Sequence, residues 1–262
     1  GVNDELLQIK LAQARVMWTE IAERLKNFDH HLAFEGFNEL DNLENSWVQS
    51  AEAQKQMNQI NQVFVDAVRS TGANNTYRIL ICPFLIHRNS PICADNFVCP
   101  KDSSDLGVDT DYHYASKYIG TAVHWYPDTW NQSIDGLMAQ IESFGVEVDL
   151  PIMVNEYGLS TKVFADKIKY FGNYIGRAQQ HRVKTVAWDN GVETEHVILY
   201  RHNKYKNGFT MDISQSILSN MKYCYDNHMA IEVPEKNCYF YDSSEELLCQ
   251  EIKSDGTFRA PT

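Results

Sequence analysis

Residues Thr76 to Ile86 read TYRILICPFLI. From Ile79 onward the apolar side chains occupy odd and even positions alike, so an extended strand built from them has no polar face to turn to water. Such a strand is stable between two covering layers, as in a parallel sheet flanked by helices. The neighbouring segments carry the same message. Residues 4–27, DELLQIKLAQARVMWTEIAERLKN, place Leu6, Leu7, Ile9, Val16, Met17, Ile21, Ala22 and Leu25 at helical spacing. His31 to Phe37 then reads as a strand and Ala51 to Ser70 as a second helix. Downstream, TAVHWY (Thr121 to Tyr126), PIMVNEYG (Pro151 to Gly158) and KTVAWDNG (Lys184 to Gly191) read as strands. Helical patterns follow them near Ser133 to Phe144, Val163 to His181 and Ile213 to Tyr223. Strands that alternate with helices imply parallel neighbours joined by crossovers, and this run of β/α units suits a (β/α) barrel better than a sandwich or bundle.

At 262 residues the chain is long enough for one large α/β domain. A formal net charge of −12 excludes a surface built to track phosphates, so nucleic acid is not an expected partner. No apolar run is long enough to cross a bilayer as a helix, and no membrane partner is expected. No signal peptide is readable. The six cysteines (Cys82, Cys93, Cys99, Cys224, Cys238 and Cys249) form an even set, from which we expect a secreted, extracellular protein with one or two disulfides. A Cys93–Cys99 staple would sit in the stretch from Arg88 to Tyr118, which is too long for an ordinary connection and is expected to cover a functional face. Asn74-Asn75-Thr76 and Asn131-Gln132-Ser133 fit the glycosylation sequon. After residue 229 the periodicity stops, so the expected organisation is a catalytic domain over 1–228 and a disulfide-stapled, strand-rich extension over 229–262.

In a parallel barrel the chemistry collects at the C-terminal ends of the strands. The polar residues there are Asn38-Glu39, His124-Trp125-Tyr126, Asn155-Glu156-Tyr157 and Trp188-Asp189-Asn190. Two carboxylates, an imidazole, a phenol and an indole over one barrel mouth suit glycosidic bond cleavage, which needs one acid to attack or activate water and another to protonate the leaving oxygen. Glu39 and Glu156 are the expected catalytic pair. The histidines show no HxH or HExxH spacing and the cysteines no CxxC, so no metal or other cofactor is expected. The acidic loop at Asp109-Thr110-Asp111 is read as solvated, and the absence of a GxSxG elbow disfavours a serine hydrolase.

These segments resemble a known family. FEGFNEL looks like the FExxNEP signature of glycoside hydrolase family 5, the cellulase-type enzymes. HWYPDTW, PIMVNEYG and VAWDNG are similar, in order and spacing, to the segments that close that family's later strands. The resemblance implies an incomplete (β/α)8 TIM-type barrel in which strands four to eight are readable. It implies Glu39 as acid/base and Glu156 as nucleophile of a retaining endo-β-1,4-glucanase. It also implies that Asn38 binds the sugar 2-hydroxyl, that His124 and Tyr126 orient the carboxylates, and that Trp188 is a platform at the cleaved sugar. The substrate implied is a β-glucan, with mannan or xyloglucan as alternatives, and a catalytically weak remnant that binds glucan is the reading from another class. Glu35 is expected to support the network. Leu40 stands where the family usually has proline. The family's first three strands have no counterpart here, so the open sheet is expected to be completed by a second copy, another chain or an N-terminal segment, or patched by the tail after residue 229.

Overall fold

Leu7, Leu11, Ala14, Trp18 and Ala22 recur every three or four residues along α1 (Asp4–Leu25), and all are buried. That stripe is what converts a helical sequence into one wall of a core. A computed structural model describes residues 4–40, 51–83, 96–102, 118–126, 133–160, 164–189, 199–205, 208–213, 215–227, 240–241, 247–249, 251–252 and 258–259. The element order after α1 is β1 (Phe34–Glu35), α2 (Ala51–Arg69), β2 (Leu80–Pro83), β3 (Ile119–Trp125), α3 (Ile134–Val148), β4 (Ile152–Tyr157), α4 (Phe164–Gln180) and β5 (Lys184–Ala187). There follow β6 (Leu199–Tyr205), β7 (Gly208–Ile213), α5 (Gln215–Asn227) and four short strands, β8 (Phe240–Tyr241), β9 (Leu247–Cys249), β10 (Glu251–Ile252) and β11 (Phe258–Arg259). The principal sheet has the order β1-β2-β3-β4-β5, the sequential order of a half-barrel. β1 pairs with β2 in parallel through Phe34↔Leu80, and β2 with β3 through Leu80↔Ile119.

The chain divides into two compact units, Gly1–Val123 with Gln140–Met153 and His124–Ala139 with Val154–Thr262. The core of the first is aromatic. Trp18 lies 4.5 Å from Phe64, 5.7 Å from Phe34 and 6.2 Å from Phe37 between ring centroids. Its indole N–H donates to the carbonyl of Gly36 at 3.0 Å, which fixes the chain where it leaves β1. A Cβ at Gly36 would stand 3.0 Å from the Phe64 ring, so only glycine lets strand and helix approach this closely.

One side of α2 is polar yet partly buried, because it satisfies a returning segment of backbone. Asn58 donates to the carbonyl of Asn96 (2.8 Å), Asn61 to that of Pro83 (2.9 Å) and Gln62 to that of Lys101 (3.0 Å). Arg69 grips Asp102 through two bonds of 2.7 and 2.8 Å. Residues 96–102 thus pack along α2, while the rest of the long connection expected to cover a functional face lies outside the described residues. Asn74 of the first sequon is exposed, and its amide donates to the carbonyls of Asn27 and Phe28 at 3.3 and 3.1 Å. Asn131 of the second lies outside the described residues.

In the second unit α4 and α5 pack closely. A Cβ at Gly172 would stand 2.1 Å from the Asn220 side-chain nitrogen, which is buried and donates to the carbonyl of Ile168 at 2.8 Å. Gly172→Ala is expected to lower stability by about 1–2 kcal/mol, because displacing the Asn220 amide costs more than the helix propensity gained. A urea midpoint raised by the substitution would show that the amide has room to turn away.

Two expectations need correction. The helix expected from Ile213 begins at Gln215, because Ile213 ends β7, which pairs antiparallel with β6 through Leu199↔Ile213. The stretch LYRHNKYKNGFTMDI carried the signal for this hairpin, an Asn-Gly pair between two strand-forming runs. Nor is the Cys93–Cys99 staple formed. Cys99 carries a thiol that donates to the carbonyl of Pro100 at 3.6 Å, and Cys93 lies outside the described residues. Cys82 and Cys224 are buried thiols, and no disulfide is present among the described residues.

Candidate active site

Each sequence-predicted residue sits at or just beyond the end of a strand. Asn38 and Glu39 follow β1 in the first unit, and both are exposed. Glu39 has a φ of 20°, at the edge of the left-handed region that non-glycine residues seldom enter. Such conformations persist where the surroundings impose them, and here the flanking Phe37 and Leu40 both pack against buried core clusters. Glu35 lies within β1 opposite Ile81 and is half-buried.

The second unit gathers the other four. The Tyr126 hydroxyl donates to Glu156 Oε2 at 2.6 Å. This is a short contact that fixes the orientation of the carboxylate. The Nδ1 atom of His124 lies 3.4 Å from the same oxygen, and the two side chains are only 14% and 18% exposed. At that length the contact lies beyond the usual hydrogen-bond range. Both contacts fall on Oε2. Trp188 is 37% exposed and meets the Tyr126 ring edge-on, with centroids 6.2 Å apart and planes at 89°. Its backbone N–H donates to the carbonyl of Tyr157 at 2.9 Å, so the indole is anchored beside β4 although β5 itself ends at Ala187.

Strand alternation explains how these groups are held. His124 and Tyr126 are two residues apart and share one face of β3, while Trp125 between them turns the other way and is buried. Glu156 and Tyr157 divide β4 in the same manner, half-buried carboxylate against a phenol that is 1% exposed. Burial pushes the phenols of Tyr157, Tyr170 and Tyr174 above the ordinary tyrosine range, so they stay neutral beneath the site.

The chain matches the cellulase (glycosyl hydrolase family 5) family over residues 7–194. It belongs to glycosyl hydrolase family 5. Among curated members, Endoglucanase B of Ruminococcus albus is 29% identical over 187 residues, a match covering 69% of this chain and 45% of that protein. A xyloglucan-specific endo-β-1,4-glucanase of Bacteroides ovatus is 27% identical over 216 residues, 72% of this chain and 42% of that protein. A family 5 lichenase from Caldicellulosiruptor sp. F32, solved with cellotetraose, superposes with a TM-score of 0.67 at 25% identity, covering 85% of this chain and 65% of that one. The family 5 chain described here spans about half the length of the curated relatives it matches. With those solved structures as reference, its five parallel strands and their helices are a truncated α/β barrel.

Proposed function

We propose that this family 5 chain carries the machinery of a retaining endo-β-1,4-glucanase, with Glu156 as nucleophile and Glu39 as acid/base. The observation that carries the reading is the Tyr126 hydroxyl at 2.6 Å from Glu156 Oε2, with His124 alongside. A carboxylate aimed by a donor on one oxygen is positioned for attack through the other. In the first step Glu156 Oε1 bonds to the anomeric carbon while the glycosidic C–O bond breaks and the Glu39 carboxylic acid gives its proton to the departing oxygen. In the second, Glu39, now a carboxylate, takes a proton from water, whose oxygen displaces Glu156 and restores the original anomeric configuration. This route needs carboxyl groups about 5–5.5 Å apart. Trp188, exposed beside Tyr126, is assigned to a sugar face and Asn38 to a sugar hydroxyl.

The substrate class proposed is β-1,4-glucan, and likeness to a xyloglucan-specific relative makes the decorated polymer the second candidate. Polymers of this kind are met outside the cell, so we propose that the protein acts there. β1 stands at one end of the sheet order, and α1 leaves Leu6, Ile9, Val16 and Met17 exposed. We propose that further strand and helix, from an N-terminal segment or a second chain, cover these surfaces.

Carboxymethylcellulose and xyloglucan hydrolysis by this chain, against Glu39→Ala and Glu156→Ala, tests the assignment. Both variants are expected to fall by roughly a thousandfold or more in kcat. Full activity in either removes that residue from its role, and an inactive parent that still binds cello-oligosaccharide favours the glucan-binding remnant.

A further inference from the structure

Beneath the Tyr126–Glu156 pair lies a cluster of rings that the mechanism does not use. Tyr174, on α4, stacks on Tyr157 with centroids 4.0 Å apart and planes at 6°. The same ring lies 5.7 Å from Trp125. Trp125 is the residue before Tyr126, and Tyr157 the residue after Glu156. One side chain therefore touches the covalent neighbours of both partners in the 2.6 Å hydrogen bond. Tyr174 is wholly buried, and so rigid a packing environment fixes the rings it contacts. Tyr170, 5.5 Å from Tyr174 and 6.2 Å from Tyr157, backs the stack from one turn earlier.

We infer that Tyr174 is a positioning residue for the reaction: its ring clamps Trp125 and Tyr157 so that β3 and β4 present Tyr126 to Glu156 in register. The inference rests on the assignment of Glu156 above. It concerns the ring and not the hydroxyl, because the buried Tyr174 oxygen has no hydrogen-bond partner among the described residues. An aromatic plane at position 174 is therefore sufficient, and a side chain of similar bulk without a plane is not. Loss of the stack lets the strand ends slide. Displacement of a catalytic group by about 1 Å costs on the order of a hundredfold in rate.

The test compares Tyr174→Phe with Tyr174→Leu and Tyr174→Met in the full chain. Tyr174→Phe is expected to keep the hydrogen bond at its parental length in a crystal structure and to keep the parental kcat. The Leu and Met variants are expected to lengthen it beyond about 3.5 Å, outside hydrogen-bond range. They should also lower kcat by roughly 10- to 100-fold with little change in KM. A folded Leu or Met variant with the bond and kcat unmoved overturns the proposal, as does a folded Tyr174→Phe that loses both. Should the parent chain prove inactive on every glucan, the hydrolase assignment fails, while the crystallographic distance still decides the role of Tyr174.

Discussion

Replacing Glu156 with alanine is expected to lower hydrolysis of an aryl β-cellobioside by roughly a thousandfold or more, and sodium azide is expected to restore part of the loss as the α-azide. The reason is geometric. Removal of the carboxylate empties the space from which Oε1 would attack, while Tyr126 and His124 still line it from the Oε2 side. A small anion can enter there and form a bond to the anomeric carbon as the aryl oxide leaves, a single displacement that inverts configuration. In Glu39→Ala the order of events differs. An activated aryl group departs without a proton donor, the glycosyl-enzyme on Glu156 forms and then accumulates, and azide takes the place of water in the second displacement. Two inversions give the β-azide. The anomeric proton in the NMR spectrum of each product reads the outcome directly. If the two variants exchange products, the roles of Glu39 and Glu156 are exchanged as well, and an α-product from both would exclude a double displacement.

The alternation of strands and helices was legible because strand and helix have different periods. TYRILICPFLI has no polar face to read as solvent-exposed, and the apolar spacing over residues 4–27 marks a helix, although Leu6, Ile9, Val16 and Met17, read with its apolar face, are exposed and Leu11 and Trp18 are buried instead. The members of the candidate site stand out in the sequence as polar types closing apolar runs, and the structure places each at or just beyond a strand end. What periodicity could not supply was contact. That Tyr126 donates to Glu156 depends on how two strands distant in sequence are registered, and that register is set by side chains on their opposite faces. Tyr170, Phe171 and Tyr174 were visible as an aromatic stripe at helical spacing, a pattern that reads as ordinary core until its partners Trp125 and Tyr157 are known. The cysteine count could not by itself place a disulfide, for a related reason. An even count says nothing about separation in space, and Cys82 and Cys224 are each used as small buried hydrophobes in different units.

Arg78→Met is expected to lower stability by about 2–3 kcal/mol. Arg78 is 2% exposed, and its guanidinium has five N–H donors. All are used. Nε donates to the Asn75 side-chain oxygen at 2.5 Å, Nη1 to the carbonyls of Asp29 and Leu32 at 3.0 and 2.6 Å, and Nη2 to those of Leu25 and Phe28 at 3.2 and 2.7 Å. The plane also lies 4.8 Å from the centre of the Phe34 ring, a cation–π contact. The acceptors are the Leu25 carbonyl at the C-terminal end of α1 and the carbonyls of the turn that follows it, so the arginine ties the end of this helix to the turn. Methionine fills much of the volume and makes none of these donations; Leu25, Phe28 and Asp29 keep donors in the Phe28 N–H, the Asn74 amide and the Leu32 N–H, so the loss falls on the Leu32 carbonyl and the Asn75 side-chain oxygen. Lysine keeps the charge but offers three donors from one point, too few and too close together for carbonyls spread over residues 25–32, and Arg78→Lys should fall between parent and methionine. Urea unfolding followed by circular dichroism measures all three, and a methionine variant within about 1 kcal/mol of the parent would mean that water replaces the guanidinium at little cost. The consequence reaches the proposed acid/base. The turn held by Arg78 leads directly into Phe34 and Glu35 of β1 and from there to Asn38 and Glu39. On the role proposed for Glu39, a methionine variant that folds should lose acid/base function in addition to stability, with hydrolysis of substrates that need leaving-group protonation falling more than hydrolysis of activated aryl glycosides.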